Sequence, residues 1–294
     1  MKKRIICWGD SITVGMGMDN KTNYPAVLQK LLGEKYEVIN AGGGGETAKT
    51  IAARQGAYPI KTAKDFVFQK GQDSLDIRVN QYYHAFELPD KTLINISLHP
   101  NPFSPYSFES DSVFIDNNEY FMVKNGKDFL LKRPNSAQCL TIKKGAKVEF
   151  LSSKEQSKGS FCEIFYIGTN GRVSGVPTKA DIDFLIEQNK KMIARHGNDC
   201  YLVVIPYWNK YYAKTFIETF GEKAIDFRAE LLKNGFDYFG ISPGTQDTQK
   251  MCDGEIPPSF RLNNNPNEIH LNQLGYSFLA NLLYNQGKKL NYWD

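Results

Sequence analysis

The stretch Ile5-Ile6-Cys7-Trp8-Gly9-Asp10-Ser11 sets the reading of the whole chain. Four apolar residues in a row, stopped by Gly9-Asp10-Ser11, predict a short buried strand followed by a turn. The same pattern recurs downstream. Tyr36 to Ile39 predicts a second strand, running into Asn40-Ala41 and the glycine cluster Gly42 to Gly45, with a helix from about Thr47 to Gln55 after it. Between the two strands, Asn23-Tyr24-Pro25 opens a helix whose apolar stripe is Val27, Leu28, Leu31 and Leu32 and which Gly33 closes. Cys162 to Ile167 and Tyr201 to Ile205 predict further buried strands, the first ending at Gly168-Thr169-Asn170-Gly171 and the second at Pro206. Helices are predicted over Lys179 to Arg195, Asp226 to Lys233 and Leu271 to Tyr284, with one more strand near Phe236 to Ile241. Strands that alternate with helices predict an α/β fold with a parallel sheet covered on both faces.

From residue 62 to 158 the pattern changes to short alternating runs: Thr92 to Leu98, Ser112 to Ile115, Glu119 to Val123, Asp128 to Lys132 and Lys147 to Leu151. Asp116-Asn117-Asn118 and Lys124-Asn125-Gly126 read as hairpin connections. The expectation is a discontinuous α/β domain, 1–61 with 159–294, carrying an inserted antiparallel β domain over 62–158.

Composition bounds the function. Hydrophobic residues are 41% and charged residues 23% of the 294, the proportions of a globular protein with a sizeable core. The net charge of +4 arises from 36 basic and 32 acidic residues spread along the chain, so no nucleic-acid partner is expected. No apolar run approaches the roughly 20 residues of a membrane span, and the run behind Met1 to Arg4 is too short for a signal-peptide core. The sequence as given reads as cytoplasmic, and one trimmed of a leader would read the same. Cysteines 7, 139, 162, 200 and 252 lack CxxC spacing and are expected to be buried reduced thiols, with no metal and no cofactor.

In open parallel sheets ligands bind beyond the carboxyl ends of the strands. That rule selects Gly9-Asp10-Ser11, Gly42 to Gly45 and Gly168-Thr169-Asn170, which together offer a hydroxyl, glycine amides and a carboxamide. These are a nucleophile and the donors for a developing oxyanion. His270, after a polar loop, is the candidate base; His84 and His99 fall in the insert and His196 near a helix end.

Ile6 to Thr13 resembles the first block of the SGNH (GDSL-type) hydrolases, Asn40 to Thr47 the second, Gly168-Thr169-Asn170 the third and Asn267 to Tyr276 the last. The four stand in the family's order. The resemblance implies a flavodoxin-like three-layer α/β/α sandwich and the hydrolysis of esters, often acetyl esters on carbohydrates, so that the expected partner is a small-molecule or glycan ester. Carried over by position, it implies Ser11 as nucleophile and His270 as base. The oxyanion hole would be the Ser11 and Gly45 amides with the Asn170 side chain. The family's aspartate position, three residues before the histidine, is Asn267 here. An amide oxygen can orient an imidazole but cannot stabilise its charge, and the comparable change in serine proteases costs about 10,000-fold. Glu268, a carboxylate such as Asp253, or a backbone carbonyl are the alternatives for that role.

Taken singly, the motifs have plainer readings. Ser11 alone is a turn or helix cap, Asn170 a turn residue and the glycine cluster a tight βα turn. The contiguous glycines do not match the GxGxxG spacing of a dinucleotide site. Phe66, Phe68, Tyr82, Tyr83, Phe86, Phe103, Tyr106 and Phe108 are expected mainly in packing, and Arg54, Arg172 and Arg261 lie near the predicted site loops. Two functions are therefore carried forward: a serine esterase, and a catalytically impaired carbohydrate-binding or interaction module in which Asn267 marks a lost relay. Oligomeric state is left open.

Overall fold

The computed structural model describes residues 2–19, 21–80, 83–94, 110–125, 128–151, 154, 158–171 and 175–294. The chain divides into two compact units, Met1–Ala48 with Ser160–Asp294, and Lys49–Gly159. The sequence boundary stood at residue 62. The second unit opens earlier because Ala53 and Ile60 belong to the apolar core that contains Phe66, Phe68 and Phe86.

The first unit is built on a five-stranded parallel sheet. Its strands are β1 (Lys3–Gly9), β2 (Tyr36–Gly42), β12 (Cys162–Tyr166), β13 (Tyr201–Val204) and β14 (Ala224–Ile225), in the order β14-β13-β12-β1-β2. β1 pairs in register with β2 on one side and β12 on the other, so the strand order reverses at β1. Such a reversal opens a crevice beyond the carboxyl end of the strand. Ser11 follows that end directly.

Helices cover the sheet, giving the three-layer α/β arrangement. They are α1 (Ser11–Val14), α2 (Tyr24–Leu32), α4 (Lys179–His196), α5 (Ala213–Phe220), α6 (Phe227–Phe239), α7 (Thr245–Asp253) and α8 (Gln273–Lys289); α3 (Ala48–Gln55) has only its first residue in this unit. Their ends are set by side chains. Asn23 caps α2 by accepting the Ala26 N–H at 3.0 Å, a Thr178–Asp181 capping box opens α4, and Gly197 at φ 79° closes it. Ile5 and Cys7 of β1, Tyr24 and Leu28 of α2, and Phe278, Leu279 and Leu283 of α8 share one buried core. No helix among the described residues is long and apolar enough to cross a membrane.

Two sequence expectations change here. Phe236 to Ile241 is not a strand: α6 continues through Phe239 to a left-handed cap at Gly240, because Phe227, Leu231, Gly235 and Phe236 recur at helical spacing on its buried face. The fifth strand is β14, only two residues long. The loop before His270 also holds α7, whose single buried residue, Asp247, left no apolar stripe to read.

The second unit is antiparallel. β3 (Ile60–Thr62), β5 (Ser74–Asp76), β6 (Phe86–Glu87), β7 (Ser110–Ile115), β8 (Asn118–Asn125), β9 (Asp128–Lys132) and β11 (Lys147–Phe150) form a sheet ordered β5-β9-β8-β7-β11-β3-β6. β4 (Phe66–Phe68) and β10 (Leu140–Ile142) pair separately. Ile115 pairs with Asn118 across the first hairpin, and Asp116 and Asn117 take φ of 47° and 67°, the two left-handed residues of a tight two-residue turn. In the second, Asn125 pairs with Asp128 and Gly126 lies outside the described residues. Residues 95–98 of the expected strand at Thr92 also lie outside them.

Candidate active site

The turn after β1 is tight because the backbone is packed from both sides. A Cβ on Gly9 would lie 2.0 Å from Thr13 Oγ1 and 2.7 Å from the Tyr166 carbonyl, so only glycine fits there. Asp10 then caps the one-turn helix α1, its Oδ1 accepting the Ile12 N–H at 2.9 Å. Ser11 is thereby fixed at the start of the turn, 5% exposed. Burial pushes the Asp10 carboxyl up to about 7, against hydrogen bonds from Ile12 and Thr169, and the charge of Glu46 adds to the rise.

Beyond β2 the chain folds back over β1, the Gly43 N–H donating to the Gly9 carbonyl at 2.8 Å. Gly45 is exposed at φ 77°, with nothing within 4 Å of its Cβ position, so its glycine is demanded by backbone conformation and not by space. On the other side, Asn170 is half-buried and its Nδ2 donates to the Glu46 carbonyl at 3.0 Å, while Thr47 and Asn170 form a parallel bridge. The loops after β2 and β12 are thus tied to each other past the end of β1. One Nδ2 hydrogen of Asn170 is committed to that tie; the amide has a second.

His270 comes from the loop before α8. Its Nε2 lies 3.0 Å from Ser11 Oγ and its Nδ1 lies 2.7 Å from Glu268 Oε1. The same Oε1 accepts the N–H groups of Ile269 at 2.8 Å and His270 at 3.0 Å. Burial acts to raise the Glu268 carboxyl, but the backbone and ring hydrogen bonds of His270 and the Ile269 N–H outweigh it and hold the group below its ordinary range. An ionised carboxylate only accepts, so Nδ1 carries the proton and Nε2 presents its lone pair to Ser11. A hydroxyl so placed has a base within reach, and the base has an orienting partner.

The side chain at His270 Nδ1 is therefore Glu268, where the sequence reading had set Asn267. Asn267 is exposed, and its backbone N–H donates to Asn265 Oδ1 at 2.9 Å. Two residues whose part here the sequence did not show hold this loop. Arg261 donates from Nε to the Ile256 carbonyl at 2.7 Å and from Nη1 to the carbonyls of Pro266 at 2.8 Å and Glu268 at 3.0 Å. The Tyr207 hydroxyl donates to the Ile269 carbonyl. Arg261 was expected only to lie near the site loops and is a clamp on their backbone; no sequence pattern marks Tyr207.

Other expected residues fall elsewhere. Arg54 is buried within the second unit, and Arg172 lies outside the described residues. His84 is buried against Phe129, and His196 sits between Ser160 and the Cys200 carbonyl; His99 lies outside the described residues. Phe66, Phe68 and Phe86 are core and Tyr83 is exposed, while Tyr82, Phe103, Tyr106 and Phe108 lie outside the described residues. Cys7 and Cys162 are buried thiols, but Cys139 and Cys252 are exposed, each on a polar surface segment.

No protein-family model and no curated protein matches the chain. Among solved structures, it is similar to a lipolytic protein assigned to the G-D-S-L family from Desulfitobacterium hafniense DCB-2, at 11% identity and a TM-score of 0.41 over 97% of this chain and 99% of that one. A pyruvate kinase from Pyrobaculum aerophilum matches at 12% identity and a TM-score of 0.19, over 76% of this chain and 51% of that one.

Proposed function

We propose that the protein is a serine ester hydrolase acting on small acyl esters, acetyl esters foremost, through an acyl-enzyme on Ser11. The observation that carries this reading is the continuous Ser11–His270–Glu268 hydrogen-bond chain, with Ser11 at the reversal of the parallel sheet. In the proposed reaction His270 Nε2 takes the Ser11 proton as Oγ adds to the ester carbonyl, then delivers it to the departing alcohol. Water, activated by the same nitrogen, adds to the acyl carbon and releases the acid. Glu268 holds the ring in the required tautomer and opposes its charge. The Ser11 and Gly45 N–H groups and the second Asn170 Nδ2 hydrogen are the proposed oxyanion donors, each worth about 3 to 4 kcal/mol in a preorganised site.

The alternative, a binding module with a lost relay, drew on Asn267. The contact between Glu268 and His270 favours the enzyme over it. The test is p-nitrophenyl acetate hydrolysis by the wild type beside Ser11→Ala. Activity that disappears with Ser11→Ala is expected; equal rates from the two proteins would remove the esterase reading.

A further inference from the structure

Cys162 opens β12, and Cys200 directly precedes β13. The two strands pair in parallel with Glu163 opposite Tyr201, and the Glu163 N–H donates to the Cys200 carbonyl at 3.2 Å. The ladder therefore runs one step further and sets Cys162 opposite Cys200. Residues opposite each other in neighbouring strands point to the same face of the sheet. The Cys200 thiol is accordingly a hydrogen-bonding neighbour of the Cys162 sulfur, and both thiols are free.

Strand spacing puts the two Cα atoms about 5 Å apart, inside the ~4.4 to 6.8 Å span of disulfides. Cys7 packs in the same apolar core but is out of reach. Ile5 is the β1 residue opposite Cys162, so Cys7 stands two residues further along, on a diagonal of about 8 Å. The Cys200 backbone is fixed at both ends: its N–H donates to Asn198 Oδ1 at 2.8 Å, and its carbonyl accepts from Glu163 and, at 3.0 Å, from His196 Nε2. The Cys162 S–H reaches the Glu163 carbonyl at a long 3.9 Å, a weak bond that costs little to give up.

Cys162 is wholly buried and Cys200 half-buried, so a reagent from outside meets Cys200 first. Burial, and then the Cys200 thiol beside it, hold the Cys162 thiol well above its ordinary range, which makes Cys162 a poor first nucleophile.

We propose that Cys162 and Cys200 are a redox-active dithiol, which a low-molecular-weight disulfide such as oxidised glutathione converts to an internal disulfide. The Cys200 thiolate attacks one sulfur of oxidised glutathione, forming a mixed disulfide and expelling one glutathione thiolate. The Cys162 thiolate then attacks the Cys200 sulfur, the protein S–S bond forms and the second glutathione thiolate leaves. The two expelled thiolates take up the protons that the cysteines gave up, so two protein thiols are oxidised as one glutathione disulfide is reduced to two thiols. The second step is intramolecular, which offsets the scarcity of thiolate at Cys162. The bond closes a covalent loop over the segment that carries Asn170 and α4, and a reducing glutathione poise reopens it. None of this depends on the esterase reading.

The test uses the full chain with Cys139→Ser and Cys252→Ser, which removes the two exposed thiols and leaves Cys7, Cys162 and Cys200. The folded protein is incubated with oxidised glutathione, its thiols are counted in denaturant, and its peptides are mapped by mass spectrometry without reductant. The count is expected to fall from three thiols to one, with no glutathione retained and a Cys162–Cys200 peptide that dithiothreitol separates. Adding Cys200→Ser should leave both remaining thiols free, and adding Cys162→Ser should leave glutathione attached to Cys200. The wild type, mapped in the same way, should yield the same linked peptide, so the result does not hang on how the variants fold. Three thiols persisting in the folded protein, glutathione retained on Cys200 beside a free Cys162, or a link that includes Cys7 would each overturn the proposal.

Discussion

Glu268 Oε1 accepts three N–H groups, one from the imidazole and two from the backbone, so the carboxylate is oriented by the very loop it serves. Glu268→Gln keeps the shape but loses the charge and can present an N–H to Nδ1. It is expected to lower kcat/KM for p-nitrophenyl acetate by about 1,000- to 10,000-fold, whereas Asn267→Ala, at an exposed position, should change it less than threefold. Steady-state kinetics of the two variants decide which residue carries the role. Asp10 makes a second prediction. Its folded carboxyl titrates near 7 against an ordinary value of 3.8, so the native state holds a proton that the unfolded chain has lost between those values. The sign follows: this contribution to stability is complete below pH 3.8 and declines as pH rises toward 7, by about 1.4 kcal/mol per unit. The difference in unfolding free energy between wild type and Asp10→Asn, measured by urea denaturation from pH 4 to 8, is expected to shift against the wild type with that slope and to flatten above 7.

At the scale of elements, the segment from Arg261 to His270 has little regular structure and is held by hydrogen bonds to its own carbonyls. The Arg261 fork reaches carbonyls 5 residues back, at Ile256, and 5 and 7 residues ahead, at Pro266 and Glu268. Lysine cannot span three acceptors with fixed geometry. Arg261→Lys is therefore expected to lower kcat by about tenfold while the fold, followed by far-ultraviolet circular dichroism, is retained; an unchanged kcat would show that Tyr207 and the bond from the Leu262 N–H to the His270 carbonyl suffice. The strand-to-loop junctions are also where the sequence was most readable. Gly9 ends a strand and Gly45 and Gly168 sit just past one, and their roles were legible as turns, although the sequence could not tell that Gly9 answers to crowding and Gly45 to a positive φ.

At the scale of the molecule the described residues form two apolar cores, one containing Leu279 and the other Leu131, both with no exposure. Leu279→Ala and Leu131→Ala are each expected to cost about 2 to 5 kcal/mol. Because the two side chains share no core, the double variant should lose the sum of the two within about 0.5 kcal/mol, as checked by denaturant unfolding of all four proteins. A large departure from additivity would show that the cores are coupled.

By itself the sequence determined the class of fold and placed Ser11 just past the first strand. Apolar runs stopped by glycine, and helices delimited by Pro25, Thr178 and Gly197, are local patterns whose period is fixed by backbone geometry. The hairpin at Asp116-Asn117 was local in the same way, since few residue types accept two consecutive left-handed conformations. What the tertiary structure alone decided was which side chains meet. The resemblance to a family pattern directed attention to Asn267, but the loop between Arg261 and Leu271 is shaped by bonds to Ile256 and Tyr207, neither of which its own sequence encodes. That shape turns Asn267 toward water and Glu268 toward the imidazole. In a loop without a repeating period, the facing of a side chain is set by distant partners, so the place of Ser11 could be read from the chain and the partner of His270 could not.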